Sequence, residues 1–276
     1  MISSTKSLDA LFNEIGKELN DKITMYVFGG AALMFSGLKN ATKDIDIVFE
    51  TRRELKLFID ALKRQGFDTT KITEEYKHLK LQGIYTRKND RFDVFLKIIC
   101  NNLALSKGMI FRSKKKGSYG NLVVNILSFE DIFLLKSIFS RAGDYEDCVA
   151  LFQAGINWDM IYDEVNDQCK KNTANVWKSY LVARIEEMQE REHIRVPIFN
   201  KLRKESEEET YIPLAVFLEL SKENMSFEEL LEKTELEKSL LKTTIKLLLN
   251  DNKIEEKQNE KYQLKARNIF RFLSRT

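Results

Sequence analysis

Residues 28–49 read FGGAALMFSGLKNATKDIDIVF, and this stretch decides the fold class of the chain. A glycine pair follows a first apolar run, and an Asp-x-Asp pair opens a second one. Short apolar runs bounded by turn residues are typical of buried strands. We therefore predict a strand over Met25–Phe28, a short helix after the glycine pair, and a second strand over Asp44–Phe49.

Asp44 and Asp46 are predicted to bind metal ions. Side chains two residues apart on a strand point to the same face, so both carboxylates share one face while Ile45 and Ile47 point into the core. A third carboxylate, Asp93, lies in the apolar pattern RFDVFLK. Because hard cations such as Mg²⁺ prefer carboxylate oxygens, we predict a two-metal magnesium site. These three aspartates would be both its metal ligands and the catalytic residues.

Gly29 and Gly30 are predicted to bind the phosphates of a nucleotide. They lie between a strand and a helix, where free backbone N–H groups and the helix dipole favour anions. Glycine also lets the backbone approach a phosphate without a Cβ in between. Thr42, which opens the pattern Thr-x-Asp-Ile-Asp-Ile, is assigned to the same nucleotide-binding set.

The stretch quoted first resembles the signature of the DNA polymerase β-type nucleotidyltransferase superfamily, and within it the nucleotidyltransferases of toxin–antitoxin and abortive-infection systems. A second motif of those proteins is similar to LLKSIFSRAGDYEDCVAL at residues 134–151. The resemblance implies that Lys136 touches a triphosphate and that Asp147 supports the site. It further implies transfer of a nucleoside monophosphate from a nucleoside triphosphate to a hydroxyl of an RNA (a tRNA end included), a protein or a small molecule.

One position departs from that pattern. Asn40 stands where many relatives carry an arginine. If that arginine binds phosphate in the relatives, either Lys39 or Lys43 substitutes for it here or activity is reduced. Arg141 of the second motif is interpreted as structural. Two other hypotheses stay open: a non-catalytic nucleotidyltransferase-like partner or antitoxin, and a nucleotide-sensing regulator that reads DNA.

Working outward from the motif, the chain alternates helical and strand patterns. Apolar periodicity and turn residues predict the following elements: a helix over 4–19, a helix over 51–66, a strand over His78–Tyr85, a strand over Arg91–Ile98 in a hairpin with it, and a strand over Asn121–Leu127. The basic run Arg112–Lys116 is predicted to be a loop, either solvated or in contact with nucleic acid.

The predicted fold class is α/β (α+β) with four segments. These are a small mixed-sheet nucleotidyltransferase core at 1–128, a helical bundle packing on it at 129–192, a linker at 193–209 and a winged-helix-like domain at 210–276. Three helices followed by two short strands indicate the winged helix. Acidic residues outnumber basic ones from Glu205 onward. We therefore favour a protein-interaction or dimerisation module over a DNA-binding domain. DNA binding is supported only by the stripe of Lys238, Lys242, Thr243, Thr244 and Lys246 on the third helix.

Composition and apolar patterning limit the classes of protein to which the chain can belong. The net charge of +3 gives no global field for a polyanion. No run approaches the roughly 18 apolar residues of a membrane span, and the N-terminus is patterned as an amphipathic helix, not a signal peptide. Three separated cysteines predict no disulfide framework. We expect a cytoplasmic protein that binds a nucleoside triphosphate and has a cognate partner protein, with no membrane partner.

Overall fold

The structure, a computed structural model, has a mixed α/β fold. It describes residues 2–73, 76, 79–100, 103–139, 141, 143–172, 176–257 and 260–265. The chain forms two compact units, Met1–Glu164 and Val165–Thr276, which we call unit 1 and unit 2. Within the described residues, no helix is both long enough and apolar enough to cross a membrane.

Unit 1 is built on a mixed sheet, which has nine strands in the described residues. The strands are β1 (Ile23–Phe28), β2 (Ile45–Phe49), β3 (Asp68–Thr70), β4 (Gly83–Arg87), β5 (Asp90–Leu96), β6 (Ile98–Cys100), β7 (Leu103–Ala104), β8 (Lys114–Tyr119) and β9 (Leu122–Ile126). Their order across the sheet is β3-β4-β5-β2-β1-β9-β8, with β6 pairing β5 and β7 pairing β6. The apolar strands β1 and β2 lie in the middle, as their buried sequences require.

The pairing brings one end of five strands together. β1 is antiparallel to β2 and parallel to β9. β5 is parallel to β2, with Asp93 directly opposite Asp46. β8 runs antiparallel to β9. The last residues of β1 and β9 and the first residues of β2, β5 and β8 therefore meet at one end, which we call the Asp46 end of the sheet.

Helices accompany the sheet of unit 1. They are α1 (Thr5–Glu18), α2 (Gly29–Phe35), α3 (Arg52–Arg64), α4 (Lys107–Arg112), α5 (Phe129–Phe139), α6 (Asp144–Gln153) and α7 (Trp158–Asn172), the last of which continues into unit 2. Thr51 caps α3 by accepting a hydrogen bond from the Glu54 backbone N–H. In the core beneath α3, the Phe58 ring of that helix lies 5.1 Å from the Phe49 ring of β2. It also lies 5.5 Å from the Phe92 ring of β5.

Two element predictions in unit 1 are wrong. The strand predicted over His78–Tyr85 begins only at Gly83 and continues to Arg87, because the hairpin turn fixes its pairing with β5. His78 lies outside the described residues. The run Arg112–Lys116 is not a loop: Arg112 ends α4, and the lysines belong to the edge strand β8.

Unit 2 is mainly helical. It contains α8 (Val176–Glu192), α9 (Phe199–Ser206), a π-helical turn (Glu207–Tyr211), α10 (Ile212–Lys222), α11 (Phe227–Thr234), α12 (Lys238–Asn250) and the hairpin strands β10 (Ile254–Glu256) and β11 (Tyr262–Leu264). Ser226 and Glu229 form the predicted capping box of α11. Val216, Leu230, Leu241 and Ile254 belong to one buried cluster that joins α10, α11, α12 and the hairpin.

The predicted segment boundaries compare with this structure as follows. The segment 193–209, predicted as a linker, contains α9, whose Leu202 is buried. Along the sequence, the boundary between the two compact units falls between Glu164 and Val165, within α7. This division is coarser than the four predicted segments, whose limits remain predictions.

Candidate functional site

The predicted carboxylates lie at the Asp46 end of the sheet. Asp46 is the second residue of β2 and is only 4% exposed, and Asp93 is its register partner on β5. Asp44 directly precedes β2 and is half-buried. The side chains of Ile45 and Ile47 are fully buried, as predicted. Parallel neighbours in a sheet are roughly 4.8 Å apart, so the paired aspartates are adjacent.

The glycine pair packs directly against this carboxylate strand. Gly29 has a φ of +65°, and a Cβ there would lie 2.1 Å from Asp46 Oδ2. A Cβ on Gly30 would lie 2.4 Å from Thr42 Oγ1. The Thr42 hydroxyl donates a 3.0 Å hydrogen bond to the Asp44 carbonyl oxygen. Glycine is therefore required here for the approach of α2 to β2, and phosphate binding by the pair remains a prediction.

A cavity of about 540 Å³ opens beside these residues. Acidic and basic side chains line it together: Asp44, Asp46, Asp144, Asp147, Lys39, Lys43, Lys136 and Arg141. Gly30 and Thr42 also border it. Asn40 is exposed and does not line it, whereas the neighbouring Lys39 and Lys43 do. Both lysines thus border the cavity, and their substitution for the missing arginine remains a prediction.

Four side chains on one wall of the cavity form an ion-pair chain. Lys136 Nζ lies 2.6 Å from Asp144 Oδ1 and 2.8 Å from Asp147 Oδ2. Lys39 Nζ lies 2.7 Å from Asp147 Oδ1. Burial alone would raise the pKa of Asp147, but the charges of Lys136 and Lys39 outweigh it and hold that pKa below its ordinary value. Asp147 therefore holds both ammonium groups in place, and its support of a nucleotide site remains a prediction.

Arg141, which is predicted to be structural, lines the cavity. Its backbone N–H donates a 2.7 Å hydrogen bond to Asp144 Oδ2, and its guanidinium lies over the Phe139 ring. Burial opposes its charge, but the carboxylates of Asp46 and Asp144 raise the pKa of Arg141 above the ordinary value. This arginine supplies positive charge toward the aspartates from the segment between α5 and α6.

Arg91 is the partner that sequence reasoning missed. Its Nε and Nη2 donate hydrogen bonds of 2.7 and 2.8 Å to the two oxygens of Asp93. The signal was available, since Arg91 lies two residues before Asp93 on one strand and shares its face. Both Asp93 oxygens are thus engaged, and the guanidinium itself lies near the Tyr76 ring.

Burial makes the Asp46 carboxylate electrostatically costly. Desolvation and the nearby charge of Asp44 hold the pKa of Asp46 well above its usual range, against the opposing charge of Arg141. Neither Asp44 nor Asp46 forms a salt bridge within the described part of the chain. A divalent cation bound between these two neighbouring carboxylates would neutralise their negative charge.

The donor set fits magnesium in chemistry. Asp44 and Asp46 offer carboxylate oxygens, which suit a hard cation. A bound cation would also neutralise the negative charge that is concentrated around the buried Asp46 carboxylate. Over the described residues, no three Asp, Glu, His or Cys side chains are arranged as a metal-binding group. Both oxygens of Asp93 accept hydrogen bonds from Arg91, so Asp93 would have to leave Arg91 to join Asp44 and Asp46 around a cation.

The structure thus brings together every predicted site residue. Asp44, Asp46, Asp93, Gly29, Gly30, Thr42, Lys136 and Asp147 all lie at the Asp46 end of the sheet or on the adjoining cavity wall. Comparison of the sequence with protein-family models gives no match, and a search of curated proteins gives no significant match.

Proposed function

We propose that unit 1 is a metal-dependent nucleotidyltransferase. It would transfer a nucleoside monophosphate from a nucleoside triphosphate to a hydroxyl of an RNA, a protein or a small molecule. The acceptor oxygen bonds to the α-phosphorus, the bond between the α-phosphorus and its bridging oxygen breaks, and pyrophosphate leaves. The hydroxyl proton passes to a site carboxylate, for which Asp93 is the proposed acceptor.

The observation that carries this proposal is the division of charge around one cavity. The carboxylates of Asp44 and Asp46, which form no salt bridge with any described residue, lie at the start of β2, while Lys39, Lys43 and Lys136 line the same space. A triphosphate needs cations along its oxygens, and transfer also needs carboxylates that can hold a metal. The resemblance of residues 28–49 to polymerase β-type nucleotidyltransferases supports the same reading.

Each group has a proposed role. Asp44 and Asp46 would hold Mg²⁺, with Asp93 completing the set, and the bound Mg²⁺ would neutralise phosphate charge and lower the pKa of the attacking hydroxyl. Lys136 and Lys39 would contact the triphosphate, with Asp147 fixing both ammonium groups. The backbone of Gly29 and Gly30 would approach the β- and γ-phosphates. Most of the catalysis would be positioning and charge neutralisation.

A second candidate is a non-catalytic partner protein with the same fold. The bidentate Arg91–Asp93 pair favours it, because an occupied third carboxylate cannot bind a metal without a side-chain movement. In a toxin–antitoxin pair such a chain would act through a cognate protein. Label transfer separates the two candidates, since only the enzyme moves a nucleotide.

We propose a winged-helix-like role for the end of unit 2, as a protein-interaction module. The order α10, α11, α12 and then the hairpin β10–β11 supports it. Three lysines of α12 border a groove of about 380 Å³ whose apolar members are Phe227, Ile245, Leu249 and Tyr262. An apolar groove suits a protein side chain better than a DNA backbone, which requires a basic polar face.

The test uses the full chain, Mg²⁺ and total RNA or lysate with two labelled nucleoside triphosphates. An α-phosphate label should appear in a macromolecular or small-molecule product, and a γ-phosphate label should appear only in pyrophosphate. If the γ-label is transferred instead, the reaction is a phosphoryl transfer and the proposal is wrong.

A further inference from the structure

The cavity at the Asp46 end of the sheet has an apolar part that the proposed chemistry does not use. Among the described residues that line the cavity, Tyr76 and Leu79 are the only large apolar side chains, and the other large ones are charged. Leu79 is 2% exposed, and Tyr76 is half-buried. Both residues follow β3 and precede β4, so a single segment supplies this part of the lining.

A contact with Arg91 holds the Tyr76 ring close to the site carboxylates. The Arg91 guanidinium lies over the ring, with its central carbon 5.6 Å from the ring centroid, a distance at which a cation is attracted to an aromatic face. The same guanidinium donates two hydrogen bonds to Asp93, the register partner of Asp46. Two contacts thus connect the ring with a proposed metal ligand.

Arg91 leaves part of the Tyr76 side chain accessible from the cavity. Arg91 is not among the described residues that line the cavity, whereas Tyr76 is. The side of Tyr76 that borders the cavity is therefore not the side that the guanidinium covers. A flat ligand group can pack against the ring there, in the offset or edge-on arrangements that aromatic groups prefer, without displacing Arg91.

The size of the cavity suits a whole nucleotide and not only its phosphates. Its volume of about 540 Å³ falls within the roughly 300–1,000 Å³ of sites that enclose a small ligand. A nucleoside triphosphate is charged at one end and carries a flat, largely apolar base at the other. Lys39, Lys43 and Lys136 provide cations for the charged end. Tyr76 and Leu79 are the described lining side chains that suit the base.

Two other uses of Tyr76 explain less of this arrangement. A ring that only packs the core would be buried away from the cavity, whereas this one borders it. An acceptor molecule could stack on the ring, but a hydroxyl of a protein side chain needs no flat surface. Every version of the proposed reaction, in contrast, brings a nucleobase into the cavity. Because one ribose joins the base to the α-phosphate, the base must lie near the metal-binding carboxylates.

We propose that Tyr76 stacks on the base of the nucleoside triphosphate, with Leu79 as the adjoining apolar wall. This base subsite rests on the proposed function and divides the cavity between two parts of one substrate: the lysines bind the triphosphate, and Tyr76 binds the base. Stacking uses the π face that every base has. The subsite therefore contributes affinity for any of the four nucleotides and does not by itself select one.

Isothermal titration calorimetry of the full chain in Mg²⁺ tests the base subsite by comparing two kinds of ligand. ATP, GTP, CTP and UTP carry a base, and inorganic tripolyphosphate has the same chain of phosphates without one. Tyr76→Ala should weaken binding of the nucleoside triphosphates about 5-fold to 150-fold, the scale of one lost base–aromatic stack. It should leave tripolyphosphate binding unchanged. Tyr76→Phe keeps the ring and should bind both kinds of ligand like the wild type.

Tyr180→Ala is the matched control, because Tyr180 is exposed on α8 and does not line the cavity. It should bind both kinds of ligand like the wild type. Nucleotide binding by Tyr76→Ala that is as tight as binding by this control would overturn the base subsite. An equal loss of nucleotide and tripolyphosphate binding in Tyr76→Ala would also overturn it, because the substitution would then act on the cavity as a whole.

The same titrations separate the base subsite from the proposed function. A wild-type chain that binds tripolyphosphate as tightly as every nucleoside triphosphate contradicts the base subsite alone, since the metal and phosphate site would still be in place. A wild-type chain that binds neither kind of ligand contradicts the proposed function. Slower nucleotide transfer by Tyr76→Ala with unchanged nucleotide binding would assign the ring to the acceptor, and it would overturn the base subsite while the proposed function stands.

Discussion

The Asp46 carboxylate destabilises the folded protein and is also a proposed metal ligand. Its carboxylate is buried between Asp44 and Asp93, and no salt bridge within the described chain compensates it. Such a group weakens the folded state at neutral pH, because the unfolded chain lets it ionise in water. Proteins keep such costs where the residue is needed for function.

Asp46→Asn should therefore stabilise the protein while removing its proposed activity. Asparagine fills nearly the same volume and has no charge, so the free energy of unfolding at pH 7 should rise by about 1–3 kcal/mol. Urea denaturation followed by circular dichroism measures the change. Asp68→Asn, at an exposed position on β3, is the control and should leave stability unchanged; a less stable Asp46→Asn would show that the carboxylate is compensated in the fold.

The Asp147 ion pairs predict a pH dependence of stability. The pKa of Asp147 is lowered in the folded protein by Lys136 and Lys39, despite the opposing effect of burial. The stabilisation is therefore fully present above the unfolded pKa of about 3.9 and is lost as pH falls through the lowered folded pKa.

Asp147→Asn should cost about 1.5–3 kcal/mol of unfolding free energy at pH 7, the scale of a hydrogen bond between charged groups. The difference from the wild type should shrink in acid, below about pH 4. Denaturation series at pH 7, 5 and 3.5 would check it. A difference that is the same at all three pH values would mean that Asp147 acts through packing and not through its charge.

At the scale of elements, α1 depends on a close approach to the sheet. A Cβ on Gly16 would lie 1.7 Å from the Tyr119 carbonyl oxygen, and the Asn121 backbone N–H donates to the Gly16 carbonyl oxygen. The helix backbone thus rests on the turn between β8 and β9, where no side chain fits.

Gly16→Ala should destabilise unit 1, although alanine is the better helix former. The clash with fixed backbone is an overpacking of the kind that costs about 1–3 kcal/mol, which exceeds the helix-propensity gain of about 1 kcal/mol. Thermal unfolding measures it. Asn13→Ala, exposed on the same helix, isolates propensity and should be neutral or slightly stabilising; a stabilised Gly16→Ala would contradict the close contact.

Sequence patterns predicted the elements with strong periodicity and missed those without it. α1 and α3 have clear apolar faces and appear within one or two residues of their predicted limits. β8 reads KKKGSY because it is an edge strand with solvent around it, so no alternation marks it. α4 has six residues, too few for a period to be read.

Some site residues could likewise be predicted from local sequence pattern, whereas others depend on tertiary packing. Asp44, Asp46 and Asp93 could be predicted because strand parity and flanking apolar residues place them. The ion-pair chain from Lys39 to Asp144 could not, since it joins segments more than 100 residues apart in sequence. The position of Arg141 at the cavity could not be predicted for the same reason, because it depends on how α5 and α6 pack on the sheet.

At the scale of the whole molecule, the proposed chemistry lies entirely in unit 1. The cavity and every predicted site residue precede Glu164, whereas the groove beside the α12 lysines belongs to unit 2. Variants of one unit can therefore be assayed for an effect on its own function within the intact chain. The nucleotide site and the proposed partner site are separately testable in this way.

Transfer of an α-phosphate label from a nucleoside triphosphate, in Mg²⁺ with total RNA or lysate, tests the central claim most directly. The wild-type chain and Asp68→Asn should transfer the label equally, and Asp46→Asn should lose at least about 100-fold, the scale of removing a key charge-stabilising group. Equal transfer by wild type and Asp46→Asn, or the absence of both transfer and metal-dependent nucleotide binding from the wild type, would contradict the account.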